Sequence, residues 1–222
     1  MLKLIIGNRA YSSWSMRGWL ACRQSGEEFE ELVVPMFDEE WDRRREGDEF
    51  APSLGKVPIL WDGECVVWDS MAIIEFLADR VGRDVFWPED DTARGMARSM
   101  AAEMHSSFAN LRRDLPMNVR RSYPAKELSD PVRGEINRIM QLWAQARARF
   151  GGTGDYLFGD WCAADIMFAP VVTRFITYGV RLPPFAGTYM KAVLSHPYVA
   201  EWIDAAQDEP WVIEQYESDK AA

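Results

Sequence analysis

Residues 1–82 read as an α/β unit and residues 92–222 as an all-helical one, joined by a linker at 83–91. Three observations carry this fold class. Short apolar runs bounded by turn residues alternate with helical periodicity up to Gly82, so strands and helices share the first part. Val81 to Asp91 then brings Gly82, Pro88 and a run of acids, the composition of a connection between units. Beyond it the strand-like runs stop, and apolar residues recur at the three- and four-residue spacing of helices.

Leu2-Lys3-Leu4-Ile5-Ile6-Gly7 reads as a buried first strand. Asn8 to Ser15 is a polar turn, after which Met16, Trp19, Leu20 and Arg23 repeat at helical intervals until Gly26 stops the run. Phe29 to Val34 is a second strand; strand, helix and strand at this spacing give a parallel pair with a right-handed crossover. Phe37 to Ser53 is charged and irregular, with Trp41 in a segment expected to hold a short helix. After the turn Gly55-Lys56-Val57-Pro58, two apolar runs, Ile59-Leu60-Trp61 and Cys65-Val66-Val67-Trp68, flank Asp62-Gly63-Glu64. Asp-Gly accepts the positive φ of a tight hairpin turn, so these runs pair. Asp69-Ser70 then caps a helix carried by Met71, Ile74, Leu77, Ala78 and Val81. The resulting order, β-α-β-α-β-β-α, is that of thioredoxin-like domains.

In the second part, Thr92 to Leu115 is expected as one long helix with Met96, Met100, Met104, Phe108 and Leu111 on one face, ended by Pro116. Asp130-Pro131 supplies a cap and a first-turn proline for a helix running to Gly151-Gly152. Trp161 to Tyr178, Pro184 to Leu194 and Pro197 to Ala206 read as three further helices, punctuated by Gly179 and by proline pairs.

Composition narrows the function. A chain of 222 residues that is 48% hydrophobic and 27% charged buries a substantial core. Its net charge of −10 argues against nucleic acid and anionic membranes, which reward clustered Lys and Arg. No apolar run is long enough to span a bilayer, and Met1-Leu2-Lys3 leads straight into a strand pattern, so a cytoplasmic protein is expected. Cys22, Cys65 and Cys162 are odd in number and lack CxxC spacing, and only His105 and His196 are present, so no metal site is expected. The chemistry must come from hydroxyls, carboxylates, backbone groups or a borrowed group.

Two features point to a ligand. Pro58 forces Val57 into an extended conformation at a strand entrance; with a cis Val57-Pro58 bond, the Val57 backbone turns outward to pair with a peptide-like ligand. The helix start behind Ser70 suits a carboxylate, while the Asp69 side chain suits an ammonium. A group with both charges on one carbon is the α-amino-acid end of a peptide. Separately, Asp-Ser is a common helix cap and Val-Pro a common rigid turn; the combination is what signals a site.

In that combination the stretch Gly55 to Gly82 resembles the glutathione-binding half of the soluble glutathione transferases, with likeness over most of the chain and strongest in residues 1–80. The resemblance implies that Lys56-Val57-Pro58 and Asp69-Ser70 bind glutathione, with Lys56 or the Trp41 region meeting its glycine carboxylate. It also implies a homodimer. The second half is similar to the family's helical domain, where Asp165 keeps its place in a capping box and Cys162 replaces the usual hydroxyl, at a cost of about 1 kcal/mol; Asp165 is read as structural.

Tyr11-Ser12-Ser13-Trp14-Ser15-Met16-Arg17 sits at the first strand-to-helix turn, where serines are common caps. In serine-type, zeta-like transferases the active serine occupies this turn, and that likeness implies Ser12 as the catalytic hydroxyl, with Ser13 next; related classes use a Tyr earlier in the turn, which makes Tyr11 the alternative to Ser12 as thiol donor. Trp14 stands where the zeta-like pattern has Cys, which sets maleylacetoacetate isomerase activity in doubt. Met104, Ser107, Phe108, Arg112 and Arg174 are candidates for binding the electrophile between the domains, set against a core reading of the Met and Phe stripe and a surface pairing of Arg174. Arg17 shares that ambiguity, and His105 is expected to face solvent. The expected activity is conjugation of glutathione to a small electrophile; glutathione-dependent cis–trans isomerisation and a non-catalytic ligand-binding role are the alternatives.

Overall fold

The computed structural model describes residues 1–152 and 154–217. Strands β1 (Leu2–Ile6), β2 (Phe29–Val33), β3 (Ile59–Asp62) and β4 (Cys65–Val67) form one sheet in the order β2-β1-β3-β4. β1 and β2 are parallel, Leu2 opposite Phe29; β1–β3 and β3–β4 are antiparallel, with Leu60 opposite Val67 across the hairpin. Helix α1 (Ser13–Ser25) crosses between β1 and β2, α2 (Glu39–Arg44) carries Trp41, and α3 (Ser70–Val81) follows the hairpin. The thioredoxin-like order is therefore present.

Strand periodicity decides which side chains meet the helices. Leu2, Leu4 and Ile6 of β1 join the main core beneath α1 and α3, whereas Ile5 faces the opposite side and packs with Val34, Trp41, Phe50 and Ile59. Helix α1 starts at Ser13, inside the segment expected as turn, because Ser12 caps it: its Oγ accepts the Ser15 N–H at 3.2 Å. Gly18 on α1 meets the Pro58 ring so closely that an added Cβ would lie 2.8 Å from Pro58 Cγ. This contact seats the helix on the loop before β3.

The second part is helical: α4 (Arg83–Phe86), α5 (Asp91–Ser106), α6 (Ala109–Asp114), α7 (Asp130–Phe150), α8 (Ala163–Thr177), α9 (Pro184–Ser195) and α10 (Pro197–Gln207). Short α4 lies within the stretch expected as plain linker, and its last residue Phe86 and the following Trp87 are buried in the core. The core is continuous between the two parts, with α1 packed on α8 through a hydrogen bond from Arg17 Nε to the Met167 carbonyl at 2.9 Å.

The single helix expected over 92–115 is two helices. Ser107 is extended and Phe108 adopts a left-handed backbone with φ of 63°, which ends α5 and opens α6. Polar groups satisfy both sides of the break. Glu135 on α7 accepts the N–H groups of Asn110 and Leu111, while Arg112 turns back to donate to the carbonyls of Met104 and Ser107. Periodicity is blind to this break, because Met104, Phe108 and Leu111 remain apolar and buried on either side of it.

Asp165 has the structural place expected of it. Its carboxylate accepts from Leu157 N, Cys162 N and the Tyr189 hydroxyl at 3.0–3.1 Å, and burial pushes its pKa up to about 6. Among the described residues, no helix is long and apolar enough to cross a membrane.

Candidate active site

A cavity of about 710 Å³ opens where the first turn of α1, the loop before β3, the start of α3 and the side of α5 meet. Ser12, Trp14, Trp41, Lys56, Val57, Pro58, Asp69, Ser70 and His105 all line it. The Val57–Pro58 bond is cis, and among the described residues no backbone hydrogen bond engages Val57. Its main chain is thus available to a ligand that pairs like a strand.

The start of α3 is built as the sequence suggests. Asp69 caps it, its Oδ1 accepting the N–H groups of Met71 at 2.9 Å and Ala72 at 3.4 Å. Oδ2 lies 3.2 Å from His105 Nε2. That hydrogen bond is the main cause holding the Asp69 carboxyl below the usual carboxylate range, followed by burial acting in the opposite direction. Ser70 is fully buried, yet among the described residues its hydroxyl has no partner, and neither do the buried atoms Trp41 Nε1 and His105 Nδ1. Buried polar groups without partners are costly, so three of them around one cavity mark a place for a polar ligand.

At the other wall, Ser12 Oγ lies 2.8 Å from Ser15 Oγ, which accepts the Gly7 N–H at 3.0 Å. Hydroxyl hydrogens rotate, so Ser15 is able to donate to Ser12 and release the Ser12 proton toward the cavity. Ser13, one residue on, points elsewhere: its oxygen accepts from Arg174 Nη2 at 3.1 Å. Tyr11 is engaged with Glu217 and with Arg120 Nη2, the latter at 2.6 Å, so its hydroxyl is not directed at this cavity.

A second cavity of about 260 Å³ adjoins the first and shares Ser12, Trp14 and Met36 with it. Arg112 and Arg174 line it together with Ser13. The remaining candidates for electrophile binding lie elsewhere: Met104 and Phe108 are packed in the core, and Ser107 is exposed at the break between α5 and α6. Arg174 is buried rather than paired at the surface, donating to the carbonyls of Leu115 and Pro170 as well as to Ser13. Burial, then the neighbouring Arg112 charge, lowers its pKa to about 9; burial alone lowers Arg112 to about 10, with Glu135 opposing. Both remain cations at neutral pH.

Sequence reasoning missed His105. Expected in solvent, it closes the first cavity with its ring centre 5.3 Å from that of Trp14, the two planes steeply inclined, and its Nε2 on Asp69. Nothing in the spacing signals this, since the partners lie 36 and 91 residues away by number in the chain.

Comparison with known proteins bears on this geometry. Residues 11–80 match the family described as glutathione S-transferase, N-terminal domain. Two curated relatives from Escherichia coli, each named glutathione S-transferase GstB, from strain K12 and strain CFT073, are 23% identical over 132 residues, or 59% of this chain. The alignment spans 64% of each relative's length. Among solved structures, a glutathione transferase homolog from Burkholderia BGR1 with bound glutathione superposes with a TM-score of 0.65 at 22% identity, covering 93% of this chain and 98% of that one. Glutathione transferase F2 from Populus trichocarpa gives 0.66 at 14% identity over 94% and 100%, and isozyme E7 from Drosophila melanogaster 0.66 at 20% over 93% and 92%. Residues 11–80 thus match a glutathione S-transferase N-terminal domain, in a chain whose fold over both parts is that of the solved glutathione transferases.

Proposed function

We propose that this protein is a glutathione transferase that joins the sulfur of glutathione to a small electrophile. The observation that carries the proposal is the convergence on one cavity of a Val57 main chain with no backbone hydrogen bond among the described residues, the Asp69 carboxylate, the orphaned Ser70 hydroxyl and the Ser12 hydroxyl. Asp69 meets the γ-glutamyl ammonium, the Ser70 hydroxyl and the positive dipole end of α3 meet its carboxylate, and Val57 pairs with the cysteinyl backbone. Lys56, exposed at the rim, or Trp41 through its unpartnered indole N–H, meets the glycine carboxylate.

The sulfur then lies beside Ser12. A hydroxyl that donates to a thiolate stabilises the charged form, and the N-terminus of α1 adds to this. The cosubstrate thus supplies the nucleophile, in keeping with a site whose described side chains offer no cysteine. A homodimer and a cytoplasmic location belong to the same proposal by likeness to this family. Retention on immobilised glutathione, followed by conjugation to a chloronitrobenzene, tests it. Retention with turnover lost in Ser12→Ala supports the enzyme; retention without turnover makes the protein a carrier and refutes it.

A further inference from the structure

Three arginines gather behind Ser12, and among the described residues no carboxylate pairs with them. Arg17 is fully buried; Nε donates to Met167 O, and neither Nη atom has a partner. Its guanidinium lies 4.9 Å from the centre of the Trp14 ring, and that of Arg112 lies 4.5 Å from the same ring. Arg174, 4% exposed, bonds only to two carbonyls and the Ser13 oxygen. Arg112 bonds to carbonyls at the end of α5, and its buried Nη1 is unpartnered. The carboxylate whose charge acts on Arg112 is that of Glu135, which is committed to the backbone of α6.

Such a cluster is unfavourable by itself. Buried charges are ordinarily paired, and these three repel one another. The protein carries a net charge of −10, so acids are plentiful, yet among the described residues none pairs with these three. Arg112 and Arg174 border the 260 Å³ cavity that shares Ser12 and Trp14 with the glutathione site. Because the Ser13 oxygen accepts from Arg174, its own proton remains free to donate.

We propose that the small cavity selects an electrophile bearing a carboxylate, held by Arg112, Arg174 and the Ser13 hydroxyl, with its unsaturated body against Trp14 and Tyr216. This rests on the glutathione transferase reading for the sulfur, but the anion site itself does not require turnover. Placing the anion there puts the reacting carbon toward Ser12, where the two cavities join. For an aryl chloride, the sulfur electron pair forms the C–S bond, the ring carries the charge on its nitro groups, and chloride leaves with the C–Cl pair; the thiol proton has already gone to solvent.

The test compares chlorodinitrobenzoate, with chlorine para to the carboxylate, with its methyl ester at saturating glutathione, each rate divided by that of the uncatalysed reaction. The wild type is expected to favour the acid in kcat/KM by about ten- to a hundredfold, the range for a hydrogen-bonded charge. Arg112→Met should bring that ratio to near one, and Arg112→Lys should retain part of it; taking a ratio cancels any general loss from the helix-end contacts of Arg112. Equal use of acid and ester by the wild type, or a ratio unmoved in Arg112→Met, overturns the anion site while leaving the transferase reading intact. If neither probe is turned over, calorimetric titration with nitrobenzoate decides: binding that is lost in Arg112→Met upholds the site although the transferase reading fails, and absence of binding overturns it.

Discussion

Replacing Ser12 by alanine isolates the hydroxyl on which the proposed chemistry depends. A hydrogen bond to a charged group is worth about 1.5–3 kcal/mol, and about 1.4 kcal/mol corresponds to one pKa unit. The bound glutathione thiol should therefore titrate about 1–2 units higher in Ser12→Ala. Because the thiolate is the reactive form, activity rises with pH through the bound thiol's pKa, and the substitution moves that rise to higher pH. Below the transition, kcat/KM should fall about ten- to a hundredfold. The substitution also removes the cap on α1, where Ser12 Oγ accepts the Ser15 N–H, at a cost of about 1 kcal/mol in stability. Urea unfolding separates that loss from the titration, which is read from the ultraviolet absorbance of the thiolate in the complex. Ser13→Ala is the control, since its oxygen faces Arg174 and the thiol pKa should not move. If Ser12→Ala still binds glutathione and its thiol titrates with that of the wild type, Ser12 is not the thiolate's donor.

Three further outcomes follow from the same geometry. Gly18→Ala sets a Cβ 2.8–2.9 Å from the Pro58 ring, which cannot swing aside; overpacking of about 1–3 kcal/mol exceeds the helix propensity gained, so urea unfolding should show a net loss and glutathione affinity should drop, whereas a stabilised variant would show that the loop yields freely. In His105→Ala, Asp69 loses the chief cause of its depressed pKa. A lowered carboxyl pKa favours the native charge above the ordinary value and loses it as pH falls through the depressed one, so glutathione affinity should decline at a higher pH in this variant; an unmoved acid limb counts against the contact. Cys162→Ser restores a hydroxyl at the start of α8, where Asp165 already accepts the Cys162 N–H at 3.0 Å, and should raise the denaturation midpoint by up to about 1 kcal/mol in stability; a lower midpoint would mean that burial of the sulfur matters more than the cap.

Local chemistry made much of this protein legible before any fold was known. The hairpin through Asp62-Gly63, the Asp69 cap on α3 and the cis Val57-Pro58 bond before β3 each depend on residues within a few positions of one another, and each is present. The Phe108 break was hidden for a local reason too, because apolar spacing continues through it and its caps come from Glu135 on another helix. Likewise, the three serines of the first turn are equivalent in composition, and only their partners distinguish them: Ser15 and the cavity for Ser12, Arg174 for Ser13, Gly7 for Ser15.

By itself, then, the chain determined its strands, most of its helices and the loop chemistry that suits a peptide-like ligand, since those follow from backbone preferences and periodicity over short spans. Only the docking of α1, α3, α5 and α8 decided that His105 reaches Asp69, that Arg17 and Arg112 meet on the Trp14 ring, and that Met104 is buried in the core. Those are contacts between residues distant in sequence. Their existence depends on how whole helices dock, and side-chain spacing along one helix carries no record of which neighbour it will face.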